Sequence, residues 1–332
     1  MGITIIMNAA SPDYDFGAFE DFPSLEQFTA HYQDEETCAR ALFQAKWPRG
    51  FRCPRCSYSR YTIVNRRRLP LFECGSCHHQ ASITVGTIME KSRTPLVQWF
   101  KAMYLHTRNE GISALRLMTI IGTTYKTAWL ICHKIRDAIT QSDADVRLTG
   151  NVHINCAQYG TPYNPTAYRH PQEHPLLVGA SVDPNGTISY LKIKQVATDD
   201  LWEDMVTPSG RETFIQEHVD ASRATITAVI KKYSFQRNRQ LLALGRQASW
   251  WIDSVFCGIG AKHLQAYLDQ YCFLYNLANN RKSNFISLLE RCATTPVLTY
   301  ANLINKPDKT PRTQTLVALY PKLVRRTSRR AG

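Results

Sequence analysis

"CPRCSYSRYTIVNRRRLPLFECGSC", residues 53–77, holds two Cys-x-x-Cys pairs, Cys53/Cys56 and Cys74/Cys77, with seventeen residues between them. Paired knuckles at this spacing are what a single tetrahedral zinc site requires, because four soft thiolates fill the coordination sphere of the ion. A filled sphere leaves no position for water, so Zn2+ held by Cys53, Cys56, Cys74 and Cys77 is structural and not catalytic. The alternatives are a redox pair, for which one of the two motifs suffices, and an iron–sulfur cluster. His78 and His79 follow directly, but four better ligands precede them and they read as surface residues. Strand-like alternation around the knuckles predicts a zinc ribbon over residues 47–90, with Tyr58, Tyr61 and Phe72 as its small core. Arg66, Arg67 and Arg68 fall at the expected hairpin tip, where guanidinium groups reach phosphate oxygens and make binding salt-dependent.

Working outward, residues 1–46 form an N-terminal segment with two predicted helices, one capped by Ser24 and one opened by Asp34-Glu35-Glu36. On the other side, residues 91–145 are strongly helical. Thr94 is the expected cap of a helix with Pro95 in its first turn and Leu96, Trp99, Phe100 and Met103 at helical spacing. "GISALRLMTIIG" gives a short helix capped by Ser113 and stopped at Gly122. A third follows, capped by Thr123 or Thr124, with Ala128, Ile131, Cys132, Ile135 and Ile139 on one face. Two helices joined by a tight Gly-containing turn match a helix-turn-helix, which places Thr124, Tyr125, Lys126 and Thr127 toward a DNA major groove. A plain three-helix bundle is the alternative.

The formal net charge of +13 is the footprint of a polyanion binder, with nucleic acid first. No basic n-region with an apolar h-region opens the chain, residue 6 is Ile6 where myristoylation needs Ser or Thr, and no stretch reaches the length of a bilayer span. The expected location is the cytoplasm, on DNA and away from membranes. Ten cysteines in a reducing compartment are not expected to pair as disulfides. Cys38, Cys132, Cys156, Cys257, Cys272 and Cys292 read as buried small hydrophobes.

Strand patterning returns over residues 150–196. "TGNVHINCAQYG", residues 149–160, reads as a short strand ending at Asn155, and Asp183-Pro184-Asn185-Gly186 as the turn of a hairpin. A helix is expected around 211–218, a short strand at 224–229 and helices from about 262 to 292. Residues 293–332 read as a basic tail. The fold class expected is α+β and multidomain.

Several of these stretches together resemble the bacterial insertion-sequence transposases of the IS1595 group, relatives of the eukaryotic Merlin transposons. The matching features are the second knuckle, the run Ser82, Thr84, Gly86 and Thr87, then Pro95-Leu96, Trp99-Phe100, Gly111-Ile112-Ser113 and Thr127-Ala128-Trp129, with "KHLQAYLDQYCFLYN" further on. The resemblance implies a ribonuclease-H-like α/β core with a mixed sheet over residues 146–292. It also implies DDE chemistry, in which two Asp and a third group hold two divalent ions that activate a water or a 3′-hydroxyl. It further implies double-stranded DNA, terminal inverted repeats in particular, as partner, and a homo-oligomer of at least two copies.

Where the family has its first Asp-Glu pair, this chain has Asn155-Cys156. Where the second Asp stands in a Thr-Asp-Gly run, this chain has Ala228. Asp253 is the acid nearest the third position. A neutral amide is a weaker ligand for a hard cation and a methyl is none, so the expectation is a transposase-type DNA-binding protein whose two-metal catalysis is lost, with Mg2+ relevant only if the core is active. The competing readings are an active transposase using other ligands (Asp183, Asp199, Asp200 or Asp220) and a zinc-dependent DNA-binding regulator recruited by another system.

Overall fold

A computed structural model describes residues 6–7, 22–64, 68–160, 173–202, 205–231, 234–277 and 283–305. The chain opens with helices α1 (Leu25–His31) and α2 (Glu35–Lys46), capped as expected by Ser24 and Asp34, whose side chains accept from the backbone N–H of Gln27 and Thr37. The ribbon follows as strands β2 (Tyr61–Val64), β3 (Leu71–Cys74) and β4 (Gln80–Ser82), an antiparallel sheet joined at its edge by β1 (Ile6–Met7). Its core differs from the expected one. Phe72 is buried and Tyr61 half-buried, but Tyr58 is exposed, and the remaining rings come from upstream. Phe43 and Trp47, from the end of α2, and Phe51 pack with Phe72 at centroid separations of 5.2, 5.5 and 6.0 Å. A three-stranded ribbon is too small to enclose its own apolar surface, so it borrows aromatic area from the neighbouring helix.

Helices α3 (Leu96–His106), α4 (Ala114–Ile121) and α5 (Tyr125–Ala144) come next. Thr94 does not cap α3; the helix begins after Pro95 with no side-chain cap of its own. Glu35 of α2 supplies the missing acceptor instead, its Oε1 taking the Val97 N–H at 3.1 Å. Ser113 and Thr124 cap α4 and α5 through Arg116 N–H and Thr127 N–H. Gly122, at φ 61°, stops α4 in the left-handed conformation that glycine adopts without penalty.

The main sheet has the order β10–β5–β6–β7, from β5 (Leu148–Tyr159), β6 (His174–Val182), β7 (Ile188–Gln195) and β10 (Val219–Val229). β5, β6 and β7 are antiparallel neighbours, while β10 lies parallel to β5. The expected turn at Asp183 is present, with its carboxylate accepting from Asn185 and Thr187 N–H. β5 is longer than expected and runs through Asn155 to Tyr159; what ends at Asn155 is the pairing with β10, whose last partner there is Val229. Asp220 lies inside β10 and not before it. A 3-10 turn (Thr198–Asp200) and the two-residue strands β8 (Leu201–Trp202) and β9 (Met205–Val206) lead into α6 (Pro208–His218), which starts earlier than expected, at a Thr207 cap with Pro208 in its first turn.

The sheet separates two apolar clusters. Leu148, Val152, Ile154, Cys156 and Leu177 face α6, whose Phe214 ring lies so close to β6 that a Cβ at Gly179 would stand 2.6 Å from it. The opposite face carries α7 (Arg239–Phe256), which the sequence reading did not anticipate, and α8 (Ala261–Leu277). α9 (Asn284–Thr294) and α10 (Tyr300–Ile304) complete the described chain, so the stretch read as a tail from 293 starts with ordered helix; residues 306–332 lie outside the described residues. One continuous cluster of buried side chains runs from Phe28 to Ala293 through the ribbon, the α3–α5 helices and the α7–α9 face of the sheet. The segments divided by sequence at 46, 90 and 145 therefore share a core. Of the six scattered cysteines five are buried as expected, but Cys257 is exposed at the end of α7, at φ 57°.

Candidate metal centre and nucleic-acid interface

The Sγ atoms of Cys53, Cys56, Cys74 and Cys77 all lie within 4.8 Å of one another, with Cys53–Cys77 at 3.6 Å and Cys56–Cys74 at 3.5 Å. A tetrahedron with zinc–sulfur bonds of about 2.3 Å has edges of about 3.8 Å, so the quartet fits the ion. The two knuckles are built alike. Ser57 N–H bonds back to Cys53 O at 2.9 Å and His78 N–H to Cys74 O at 3.0 Å, with both Ser57 and His78 at positive φ. Each knuckle also aims an N–H at sulfur: Arg55 to Cys53 Sγ at 3.4 Å and Ser76 to Cys74 Sγ at 3.5 Å. Backbone N–H of Cys77, ahead of that of Ser76, lowers the pKa of the Cys74 thiol and so favours its thiolate. His78 is exposed, beside Glu73 at 3.6 Å, and is outside the quartet, as is His79.

Residues 33–80 match the transposase zinc-ribbon domain of the IS1595 family. The matched span takes in α2 as well as the ribbon, in keeping with the aromatic packing that joins them. No curated protein and no solved structure matches the chain.

Around this transposase-type ribbon, the residues expected to meet DNA have unequal placements. Arg66 and Arg67 lie outside the described residues. Arg68 does not stand free at a hairpin tip: its Nε is 3.7 Å from Glu35 Oε2 and its Nη1 donates to Arg93 O at 3.4 Å, which ties the ribbon to the start of α3. Thr124, Tyr125 and Lys126 are exposed at the start of α5, Tyr125 by 53 %. The Lys126 ammonium sits 5.1 Å from the Tyr300 ring centre, and Thr127 is half-buried with its N–H spent on the cap.

Asn155, Ala228 and Asp253, the three positions expected from the resemblance, do not converge. Asn155 is 1 % exposed and donates from Nδ2 to the backbone O of Asn238 at 2.8 Å. Directly opposed residues on paired strands share a face, so Val229, the partner of Asn155, lies on its side of the sheet. Ala228 is opposite Ile154 and packs with the α6-side cluster, so it points away from Asn155. Asp253 is also displaced. The start of α7 meets Asn155, whereas Asp253 is near its end and accepts from Tyr159 Oη at 2.9 Å. Among the other acids, Asp183 serves its turn, Asp200 accepts from Ser209 at 3.2 Å and Asp220 from Ser222 at 2.6 Å. The cysteine quartet is the only group of three or more His, Cys, Asp or Glu with converging ligand atoms among the described residues. What does surround Asn155 was missed: Asn238, whose side chain caps α7, and Arg237, whose Nη2 donates to Cys156 O at 2.9 Å. Asn238 ahead of "RQLLAL" is a readable capping signal.

The far end of α5 is locked to the sheet by buried and half-buried charges. Lys192 and Lys194 of β7 reach Asp143 Oδ2 at 2.7 and 3.0 Å, and Lys194 reaches Asp269 Oδ1 of α8 at 2.7 Å. Tyr190 Oη donates to Asp143, and Thr140 Oγ1 to Asp269, at 2.9 Å each. Burial opposes ionisation of Asp143, but the Lys194 and Lys192 ammonium groups outweigh it and hold the carboxyl below its usual range. Burial, with the neighbouring Lys194 charge adding to it, pulls Lys192 down; with both Asp143 Oδ2 and the Asp143 carbonyl at 2.7 Å, the charged pair is the state that satisfies the geometry. The helix that presents Thr124 to Lys126 at one end is thereby fixed to the core at the other.

Proposed function

We propose that this chain is a zinc-dependent, double-stranded-DNA-binding protein of insertion-sequence transposase type whose core no longer supports two-metal phosphoryl transfer. The match of residues 33–80 to a transposase zinc ribbon carries the DNA-binding part of this reading. The net charge of +13 and the exposed start of α5 support it. In the helix-turn-helix reading, α4 lies against the duplex backbone and Thr124, Tyr125 and Lys126 enter a major groove. The sheet order β10–β5–β6–β7, three antiparallel strands with a parallel fourth beside the first, supports a ribonuclease-H-like core.

Loss of catalysis rests on one observation: the amide of Asn155 is buried and bonded to Asn238, with Val229 as its neighbour across the strands. Mg2+ needs anionic oxygens, and this pair supplies one neutral oxygen and a hydrocarbon.

The test is a gel shift on duplex DNA carrying the terminal repeats that flank the gene, run across salt concentrations with and without a zinc chelator. Binding should weaken by about 0.9 log units per log unit of salt for each phosphate contact, and chelation should abolish it. Binding indifferent to both refutes the DNA reading. The same DNA incubated with protein and Mg2+ or Mn2+ should stay intact; nicked or joined product from the unaltered chain refutes the loss of catalysis.

A further inference from the structure

The two edges of the main sheet are treated differently. On β7 the outward backbone groups are closed by side-chain amides from α8. Asn276 accepts from Leu191 N–H at 2.8 Å and donates to Leu191 O at 3.0 Å. Gln265 accepts from Gln195 N–H at 2.7 Å and donates to Ile193 O at 3.0 Å. That edge cannot accept another strand without losing these bonds. β10, the other edge, has a side-chain bond to its first residue, Arg147 Nη1 to Val219 O at 3.3 Å, and no such cover from Ala224 onward among the described residues. α6 packs on one face of β10, with Phe214 and Ile215 in the cluster that takes in Ala224, Ile226 and Ala228, and its Phe214 ring also meets β6 at Gly179; α7 packs on β5 and β6, with Ala157 and Val178 touching the Gly245 position. α6 covers the face of β10 that carries Ala224, Ile226 and Ala228, while on the other face Thr225 and Thr227 are exposed.

An open edge is ordinarily blunted by charge, proline or a bulge. β10 has its register irregularity and its charges, Asp220 and Arg223, confined to the first five residues. From Ala224 to Ile230 the run "ATITAVI" carries neither charge nor proline and is rich in β-branched residues. Its first five residues, Ala-Thr-Ile-Thr-Ala, read the same in both directions about Ile226. A two-fold contact demands a self-complementary surface, and antiparallel pairing about a dyad at Ile226 meets that demand residue by residue. It sets Ile226 against Ile226, Thr225 against Thr227 and Ala224 against Ala228 of the other copy. Apolar pairs then lie on the α6 side, and threonine pairs, able to hydrogen-bond, on the other.

We propose that β10 is the docking edge for a second copy of this chain, joining the two sheets antiparallel about a dyad at Ile226. The contact is small, so the dimer is concentration-dependent. This inference stands apart from the DNA reading and from the state of the catalytic positions.

Sedimentation velocity of the full chain tests it. The parent should approach twice the mass of one chain at tens of micromolar. Thr225→Glu with Thr227→Glu sets carboxylate against carboxylate twice and should sediment as a single chain with an unchanged circular dichroism spectrum; Thr225→Lys with Thr227→Lys should do the same. Mixing the two should restore the doubled mass, an outcome specific to this register. A parent that remains a single chain, charged variants that associate as the parent does, or a mixture that stays dissociated each overturns the proposal.

Discussion

Asp269→Asn removes one charge from a cluster of two lysines and two aspartates, of which Lys192 and Asp269 are buried and Lys194 and Asp143 half-buried, and is the sharpest probe of how α5 is held. Asp269 is 2 % exposed and accepts from Lys194 at 2.7 Å, Thr140 at 2.9 Å and Gln265 at 2.8 Å. Removing one partner of a buried pair costs about 3–5 kcal/mol. Lys194 keeps Asp143 at 3.0 Å, which places the expected loss near the lower bound, about 3 kcal/mol. With a urea slope of about 3 kcal/mol per M, the unfolding midpoint should fall by about 1 M at unchanged slope. Replacing both partners, Asp269→Leu with Lys194→Met, removes the charge and its counter-charge together and should return the midpoint to within about 1–2 kcal/mol of the parent. A single substitution costing under about 1 kcal/mol, or a double that loses as much as the single, would refute the reading of a tightly coupled buried network.

Native mass spectrometry should find one zinc per chain, lost in Cys56→Ser or Cys74→Ser together with cooperative melting of the ribbon, because apparent zinc affinities of about 10–16 kcal/mol are folding energy in such modules; spectra without metal would count against the site. Acid should destabilise the fold through His106 and His218, both held neutral mainly by burial, His106 at about 3 and His218 at about 4. Each is depressed below the ordinary 6.5, so the unfolded chain takes up protons first as pH falls. His106 alone should then lose about 2–3 kcal/mol between pH 6.5 and 4.5, readable in urea midpoints and flattened by His106→Leu; equal midpoints at the two pH values would contradict it. Glu35→Ala should cost about 1 kcal/mol by uncapping α3 and freeing Arg68, whereas Thr94→Ala should cost almost nothing; the reverse order would restore Thr94 as the cap.

Local chemistry was legible in the residues themselves. The knuckle spacing, the Ser24, Asp34 and Ser113 caps, the Gly122 stop and the Asp183 turn each depend on a few consecutive positions, and a window of that size contains the whole cause. The residue types at Asn155 and Ala228 are likewise given by sequence alone, since an amide or a methyl is what it is in any fold. Tertiary structure decided everything that depends on register or on a distant partner. Whether Ala228 or Val229 faces Asn155 turns on a pairing in which a shift of one residue reverses every side chain. That Glu35 accepts from the Val97 N–H sixty-two residues later, that Arg68 is anchored, and that the outward groups of β7 are closed by side-chain amides follow from packing, because the groups involved meet only once the chain has folded.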